Sequence, residues 1–121
     1  MKKILIVEDE KILAELLAKK LKEEGYDTIL AQDGEEGFKK IKEEKPDLIL
    51  LDIVMPKMGG FEVLEEIQKT SEIKNIPVIV ISNSGQPVEI SRALELGVKD
   101  YLIKTQFDPN EVINKVKRQI G

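Results

Sequence analysis

Five short apolar runs alternate with five longer segments of helical periodicity, and this alternation is the strongest constraint on the fold. The runs lie at residues 3–7, 26–31, 47–52, 77–82 and 99–103. The first, third and fourth runs lack apolar–polar alternation, which is typical of strands that are covered on both faces. Strands that alternate with helices pair in parallel through right-handed crossovers. The sequence therefore predicts an α/β fold with a five-stranded parallel sheet.

The second run is the most polar, with Asp27 and Thr28 near its start, so we place it at an edge of the sheet. A doubly wound sheet of strand order 2-1-3-4-5, the flavodoxin-like (βα)5 arrangement, fits that placement. Its switch point, where ligands bind beyond the carboxyl ends of the strands, falls between the first and third strands. The chain has 121 residues, which predicts one domain over residues 1–121.

The first helix is predicted from apolar residues at helical spacing, ending near Gly25 in a left-handed conformation. The residues that we expect on one face of this helix are Ile12, Leu13, Leu16, Leu17 and Leu21.

Caps and breakers bound the remaining helices. Asp33 followed by Glu36 is a capping box, and the helix that it opens should stop before Pro46. A helix is predicted near residues 60–69. The next begins around Pro87 and ends at Gly97, and the last runs from an N-cap at Asp108 to about residue 120.

Polar residues follow four of the apolar runs. Asp52 closes the third run, and a charged carboxylate there would be costly to bury without a purpose. Glu8 and Asp9 follow the first run, Ser82 ends the fourth and Lys104 follows the fifth. Because parallel strands end at one edge of a sheet, three carboxylates, a hydroxyl and an ammonium group should gather there.

Each of these residues also has an ordinary structural explanation. An acidic pair after a strand commonly caps the next helix, and an aspartate at a strand end is often a solvated turn residue. A serine in a loop and a lysine at a strand end are common. All four features at one sheet edge, in order, are difficult to obtain by chance, so the combination indicates a chemical site.

Clustered carboxylates repel one another, and a hard divalent cation relieves that repulsion. Mg²⁺ typically takes one or two carboxylates and retains several waters, which leaves room for phosphoryl oxygens. Lys104 would neutralise further charge, and the Ser82 hydroxyl could donate to a phosphoryl oxygen. Phosphoryl transfer depends on such positioning and electrostatic stabilisation. A carboxylate such as that of Asp52 can serve as the nucleophile and form an aspartyl phosphate.

Composition excludes several classes of site. The chain contains no histidine, so a histidine triad, a histidine metal site and self-phosphorylation on histidine are excluded. It also contains no cysteine, which fits a reducing, cytoplasmic setting. The net charge of −4 argues against general nucleic-acid binding, and the first apolar run is too short for a signal peptide or membrane span.

Four ordered motifs resemble those of two-component response-regulator receiver domains, and the resemblance extends over essentially the whole chain. The motifs are IVEDE at residues 6–10, LLDIVMPKMGG at residues 50–60, IS at residues 81–82 and KDYLIK at residues 99–104. The chain looks like a single-domain receiver of the chemotaxis-regulator type. The resemblance implies a signalling switch that a partner protein phosphorylates. It implies no enzymatic activity beyond assisting the domain's own phosphorylation and dephosphorylation.

The resemblance implies a role for each residue at the acidic edge. Asp52 corresponds to the phosphoacceptor. Asp9 and Asp52 would ligate Mg²⁺ directly, together with the backbone carbonyl of Val54, and Glu8 would act mainly through bound water.

The same resemblance assigns three residues to phosphoryl contact and switching. Lys104 corresponds to the lysine that contacts the phosphoryl group. Ser82 corresponds to the hydroxyl that moves toward that group, and Tyr101 to the aromatic residue that turns inward afterwards. Without the resemblance, Tyr101 would be interpreted as a half-buried strand aromatic.

Two positions depart from the family pattern. The family usually has proline after the lysine, often with a cis peptide bond, whereas Thr105 follows Lys104 here. A non-proline cis bond costs about 3 kcal/mol, so we expect a trans bond or tolerated strain, and a different loop before the last helix. Val54 is the second departure, because many relatives have a polar residue there. We expect its apolar side chain to lengthen the phosphoryl lifetime.

The implied partners are a histidine kinase or a histidine phosphotransfer protein, and a downstream effector protein. The output surface should be formed by residues 86–96, 99–104 and 109–120. Its last helix carries Lys115, Lys117 and Arg118, which ordinary solvation explains, although an acidic partner remains open.

We expect no direct contact with nucleic acid or membrane, and either a monomer or a phosphorylation-dependent dimer. A complete 121-residue product would act by protein binding or phosphoryl relay, whereas an excised domain would lack its effector.

Three alternatives remain at this stage. A haloacid-dehalogenase-like phosphatase would need an acidic residue where Val54 stands, and a substrate cap for which the chain has no room. A nucleotide-binding module would need a glycine-rich phosphate-binding motif, which does not occur. A receiver that has lost phosphorylation would act only as a docking protein, although all residues needed for phosphorylation are present.

Overall fold

The computed structural model describes residues 1–106 and 108–121, and its sheet has five parallel strands in the order β2-β1-β3-β4-β5. The elements, in chain order, are β1 (Lys3–Val7), α1 (Lys11–Glu23), β2 (Asp27–Ala31), α2 (Gly34–Glu44), β3 (Leu48–Asp52), α3 (Gly60–Gln68), β4 (Val78–Ser82), α4 (Pro87–Glu95), β5 (Asp100–Ile103) and α5 (Pro109–Ile120). The predicted fold class and strand order are confirmed.

The central strands have the burial that their continuous apolar sequences predict. Every residue of β3 and β4 is buried, including the terminal Asp52 and Ser82. The more polar β2 lies at an edge, as expected from Asp27 and Thr28. The predicted and observed strands differ by no more than one residue at either end.

Helices cover both faces of the sheet and enclose two apolar layers. On one face, α1 and α5 pack side chains such as Leu17, Leu21 and Val116 against the strands. On the other face, α2, α3 and α4 contribute side chains such as Ile41 and Leu64. None of the helices in the described ranges is long and apolar enough to cross a membrane.

The buried face of α1 differs from the predicted one. Its buried residues are Ala14, Leu17, Ala18 and Leu21, whereas Ile12 is 86% exposed and Leu16 is 39% exposed. At about 100° of rotation per residue, positions 12 and 16 lie on the opposite side of the helix from position 14. The prediction that Ile12 and Leu16 share the core-facing side was therefore wrong.

Aspartate side chains cap two helices. The Asp33 side chain accepts a hydrogen bond from the backbone N–H of Glu36 at 2.8 Å, and Asp108 accepts one from Glu111 at 3.1 Å. In a capping box, the Glu36 carboxylate would accept a hydrogen bond from the backbone N–H of the cap residue Asp33, and this second hydrogen bond differs from the prediction. The Glu36 carboxylate accepts from the backbone N–H of Gln32, at 3.3 Å, one residue before the cap.

The predicted ends of two helices are confirmed by backbone conformation. Gly25 follows α1 with φ of 96°, and Gly97 follows α4 with φ of 93°. These are left-handed conformations that glycine adopts without a side-chain clash. The helix α2 ends at Glu44, and its C-cap residue Lys45, just before Pro46, is also in a left-handed conformation.

Candidate acidic phosphoryl-transfer site

Strand pairing brings the predicted acidic residues to one edge of the sheet. Val7 pairs with Leu51 in the register of β1 and β3, so Glu8 and Asp9 lie beside Asp52. One carboxylate oxygen from each of these three residues lies within 4.8 Å of the others. Glu8 and Asp52 are only 3% and 4% exposed, whereas Asp9 is exposed. The result is a largely buried acidic cluster that opens to solvent at Asp9.

Lys104 is the cation of this site, and its ammonium group contacts three carboxylates. Its Nζ lies 2.8 Å from Glu8 Oε1 and 3.3 Å from Asp52 Oδ2, and it also contacts Glu10. The Lys104 side chain is only 8% exposed. The backbone N–H of Lys104 donates to the Ser82 carbonyl at 2.7 Å, which fixes the ends of β4 and β5 together. The predicted juxtaposition of Lys104 with Asp52 is therefore present.

Burial and the contacts among Glu8, Asp52 and Lys104 shift the pKa of each of these groups. Burial raises the pKa of Glu8 to about 7, although its hydrogen bond to Lys104 opposes the rise. Burial also raises the pKa of Asp52, against the opposing charge of Lys104, and the neighbouring Asp9 raises it further. For Lys104, burial disfavours the charge, but contacts with Glu10 and Glu8 outweigh it and raise the pKa. One lysine thus does not fully offset the cost of burying the carboxylates.

The donor set of the cluster fits a hard divalent cation. Glu8, Asp9 and Asp52 offer only oxygen atoms, and Mg²⁺ prefers oxygen ligands in small numbers together with water. The exposed side of the cluster at Asp9 leaves space for that water. A bound cation would also stabilise the ionised forms that burial disfavours.

Ser82 lies at the end of β4 and is fully buried. Its hydroxyl oxygen accepts a hydrogen bond from the backbone N–H of Ser84 at 3.1 Å. Within the described ranges, the structure records no contact between this hydroxyl and the acidic cluster. The Ser82 hydroxyl therefore stands at the correct edge of the sheet, but is engaged with the β4–α4 loop.

Tyr101 connects β5 to the same loop. Its hydroxyl donates to the Ser84 carbonyl at 2.8 Å, and its ring packs against the apolar layer under α3 and α4. Ser84 therefore links Ser82 and Tyr101, since its N–H contacts one and its carbonyl the other. Sequence reasoning named both residues as switch elements without predicting this link.

The β3–α3 loop carries Val54, two residues after Asp52. Val54 is 73% exposed, so its side chain lies in solvent and not in the core. The loop is held by a hydrogen bond from the Gly60 N–H to the Ile53 carbonyl at 2.7 Å. A β-carbon on Gly60 would lie 2.4 Å from the Asp52 carbonyl, which requires glycine there.

The peptide bond between Lys104 and Thr105 is trans, one of the two expected outcomes. Residues 104–106 form a turn in which the Gln106 N–H donates to the Ile103 carbonyl at 2.9 Å. Residue 107, part of the loop that was predicted to differ, lies outside the described residues.

Glu10 is a site residue that sequence reasoning missed. It belongs to the quoted IVEDE motif, but no role was assigned to it. The structure places its carboxylate on the Lys104 ammonium, beside Glu8. The available signal was a third consecutive acidic residue after β1, a pattern that is also ordinary at the start of a helix.

Comparisons with known proteins agree with this geometry. The model of the response regulator receiver domain family matches residues 4–117. The chain belongs to that family. The alkaline phosphatase synthesis transcriptional regulatory protein PhoP of Bacillus subtilis is 41% identical over 116 residues, 96% of the chain and 47% of PhoP. The chain thus spans about half the length of this curated relative.

Solved receiver structures match almost the whole chain. The receiver domain of the Francisella response regulator 1452 is 33% identical, with a TM-score of 0.90 and coverage of 98% and 96% of the two chains. The Mn²⁺-bound form of response regulator Rcp1 is 32% identical, with a TM-score of 0.83 and coverage of 98% and 91%.

Membership of this family gives the general function. Receiver domains of two-component response regulators act in phosphorylation-dependent signalling, bind Mg²⁺ at an acidic pocket, and interact with histidine kinases and effectors. They are signalling domains and not classical enzymes. The comparisons give no support to the phosphatase, the nucleotide-binding module or the phosphorylation-independent docking protein.

Proposed function

We propose that Asp52 accepts a phosphoryl group from a phosphohistidine of a partner histidine kinase or phosphotransfer protein. The observation that carries this proposal is the contact of the buried Asp52 carboxylate with Lys104, beside Glu8 and Asp9. A carboxylate with a raised pKa in an anionic cluster is a costly arrangement for stability alone.

In the proposed reaction, an oxygen of ionised Asp52 attacks phosphorus and forms a P–O bond. The P–N bond to the partner imidazole breaks, and its electron pair stays on the imidazole nitrogen. Lys104 would stabilise negative charge on the phosphoryl oxygens, because its ammonium already reaches Asp52. The Ser82 hydroxyl, bonded to Ser84 only as an acceptor, would remain free to donate its proton to a phosphoryl oxygen.

Mg²⁺ is the cofactor that we propose for this site. Asp9 and Asp52 would bind it directly, Glu8 through water, and the Val54 carbonyl would complete the protein ligands. Bound there, the cation supplies positive charge for the phosphoryl oxygens. The similar response regulator Rcp1 has a Mn²⁺-bound form, which supports binding of a divalent cation by this domain.

We propose that output leaves through the β4–α4 loop. If Ser82 turns toward a phosphoryl oxygen, its bond to the Ser84 N–H is lost, and the Tyr101 bond to the Ser84 carbonyl transmits the change. The responding surface would be residues 86–96, 99–104 and 109–120.

The basic side chains of α5 bear on the choice of effector. Lys115 pairs with Asp100 at 2.9 Å, and Lys117 contacts Glu24. Two of the three cations named on α5 are therefore engaged within the domain, which weakens the hypothesis of an acidic partner. We keep a downstream effector protein as the partner, with phosphorylation-dependent dimerisation as a second mode of output.

We also retain residues 1–121 as a single receiver domain that acts in the cytoplasm. Its proposed chemistry is limited to assisting its own phosphorylation and dephosphorylation.

The decisive experiment is labelling by acetyl phosphate in Mg²⁺, read as the mass of one added phosphoryl group. The protein should be labelled, whereas Asp52→Asn and the protein in excess EDTA should not. Asp27→Asn is the matched control, because Asp27 is an exposed aspartate on the edge strand β2. Undiminished labelling of Asp52→Asn, or of the protein in EDTA, would refute the proposal.

A further inference from the structure

Among the three carboxylates that contact Lys104 in the described part of the chain, only that of Glu10 is largely exposed to solvent. Its side chain is 54% exposed, compared with 2% for Glu8 and 5% for Asp52. Glu10 immediately precedes α1, where an acidic side chain commonly caps the helix, but its side chain makes no cap hydrogen bond. It reaches toward Lys104 instead.

The backbone of Glu10 is fixed, so the reach of its side chain follows from the fold. Its N–H donates to Glu8 Oε2 at 2.9 Å, and its carbonyl accepts from the Ala14 N–H at 3.0 Å. Within the described ranges, Lys104 is the one cation with which the Glu10 carboxylate is paired.

The three carboxyl groups are enough to occupy every N–H donor of the Lys104 ammonium group. An ammonium group has three protons, and Glu8, Asp52 and Glu10 together provide three carboxyl partners. If Oδ1 of Asp52 attacks phosphorus, Oδ2 keeps its contact with Lys104, and a phosphoryl oxygen must then displace Glu8 or Glu10 to reach the ammonium. Release of Glu8 would leave a buried carboxylate without its cation, which is costly. Release of Glu10 moves its carboxylate into water, which costs little.

We infer that Glu10 competes with the phosphoryl group for the Lys104 ammonium and is the partner that is exchanged on phosphorylation. Glu10 is thus a positioning residue that restrains Lys104 in the unphosphorylated protein and weakens retention of the phosphoryl group. This inference rests on the proposed function, since it assumes that a phosphoryl group occupies the site beside Asp52.

The test is the affinity for beryllofluoride, a phosphoryl mimic, measured by calorimetry in saturating Mg²⁺. Glu10→Gln removes the charge, and Glu10→Asp keeps the charge but withdraws it from Lys104 by one methylene group. Both variants should bind about fivefold more tightly than the parent, the scale expected for a half-exposed ion pair. Glu15→Gln, a matched change at a 57% exposed position on α1, should bind as the parent does.

A second measurement follows the contact itself in metal-free protein. The ¹⁵N resonance of the Lys104 ammonium should shift in Glu10→Gln and Glu10→Asp, and should not shift in Glu15→Gln. An unchanged resonance, or unchanged beryllofluoride affinity in both Glu10 variants, overturns the inference. Tighter binding by Glu10→Gln alone also overturns it, because the effect would then come from net charge and not from contact. If the parent itself fails to bind beryllofluoride, the proposed function fails instead.

Discussion

A β-carbon added to Gly34 would lie 1.8 Å from the carbonyl oxygen of Met58. Gly34 begins α2, and Met58 lies in the β3–α3 loop that follows Asp52. The neighbouring pair Asp33 and Lys57 adds an ion pair at 3.8 Å, with Lys57 in a left-handed conformation at φ of 68°. The start of α2 therefore braces the loop that carries the Val54 carbonyl.

Gly34→Ala should displace this loop without changing any side chain of the acidic cluster. The clash is with backbone atoms, so no side-chain rotation relieves it. We expect a loss of about 1–3 kcal/mol in the free energy of unfolding, measured by urea denaturation, and weaker Mg²⁺ binding. Glu35→Ala, at an exposed neighbouring position of α2, is the control and should change neither. Parent-like stability and Mg²⁺ affinity in Gly34→Ala would contradict the bracing role.

The acidic cluster predicts that metal-free protein loses stability as the pH rises toward neutrality. Glu8 keeps its proton up to about pH 7 in the folded protein, whereas in the unfolded chain it ionises near its ordinary pKa of 4.5. The folded state thus binds more protons in this window, so the free energy of unfolding falls as pH increases. The raised pKa of Asp52 acts in the same direction.

Urea denaturation in EDTA between about pH 5 and pH 7 checks this sign. Glu8→Gln should flatten the slope, and Mg²⁺ should bind more tightly as pH rises because it requires ionised carboxylates. Stability that increases with pH in EDTA would mean that Glu8 is ionised throughout, and the burial argument would be wrong.

Asp52→Asn should stabilise the metal-free protein near pH 7 while abolishing phosphorylation. The buried carboxylate is destabilising when ionised, and asparagine removes its charge while Lys104 keeps Glu8 and Glu10 as partners. We expect the free energy of unfolding to increase, because the pKa of Asp52 is raised in the folded protein. Asp27→Asn on the exposed edge strand should change stability much less. A loss of stability in Asp52→Asn would show that the contact with Lys104 outweighs burial.

The sequence was sufficient for the sheet and for most of the acidic edge, because strand ends follow from apolar runs and parallel pairing. Glu8, Asp9, Asp52 and Lys104 lie together for that reason. The face of α1 was misassigned because Ile12 is as apolar as a core residue, and periodicity alone does not indicate which stripe faces the sheet. The small Ala14 and Ala18 were the relevant signal.

Contacts that depend on loop conformation were beyond sequence reasoning. The approach of Gly34 to Met58 joins segments that share no strand register. The contact of Glu10 with Lys104 depends on how the chain turns between β1 and α1. Such contacts require φ and ψ values that a residue pattern does not specify.

Tyr101→Phe tests the link between β5 and the β4–α4 loop. The change removes the hydrogen bond to the Ser84 carbonyl and leaves the ring in place. We expect a loss of about 1 kcal/mol in stability and faster amide hydrogen exchange at residues 84–86. Tyr26→Phe is the control, because Tyr26 is a buried tyrosine on the opposite face of the sheet. Unchanged exchange in the loop would exclude a role for the hydroxyl in holding it.

Val54→Asn should shorten the lifetime of the phosphoryl group. Val54 is 73% exposed two residues after Asp52, and its methyl groups offer no hydrogen bond to an attacking water. An asparagine amide would position that water, and one hydrogen bond of about 1 kcal/mol corresponds to about fivefold faster dephosphorylation. Because the position is exposed, stability should change by less than about 0.5 kcal/mol.

Val88→Asn, at a 71% exposed valine on α4, is the matched control and should leave the half-life unchanged. The half-life is read by mass spectrometry after removal of acetyl phosphate, and equal values for Val54→Asn and the parent would rule out control of the water by this side chain.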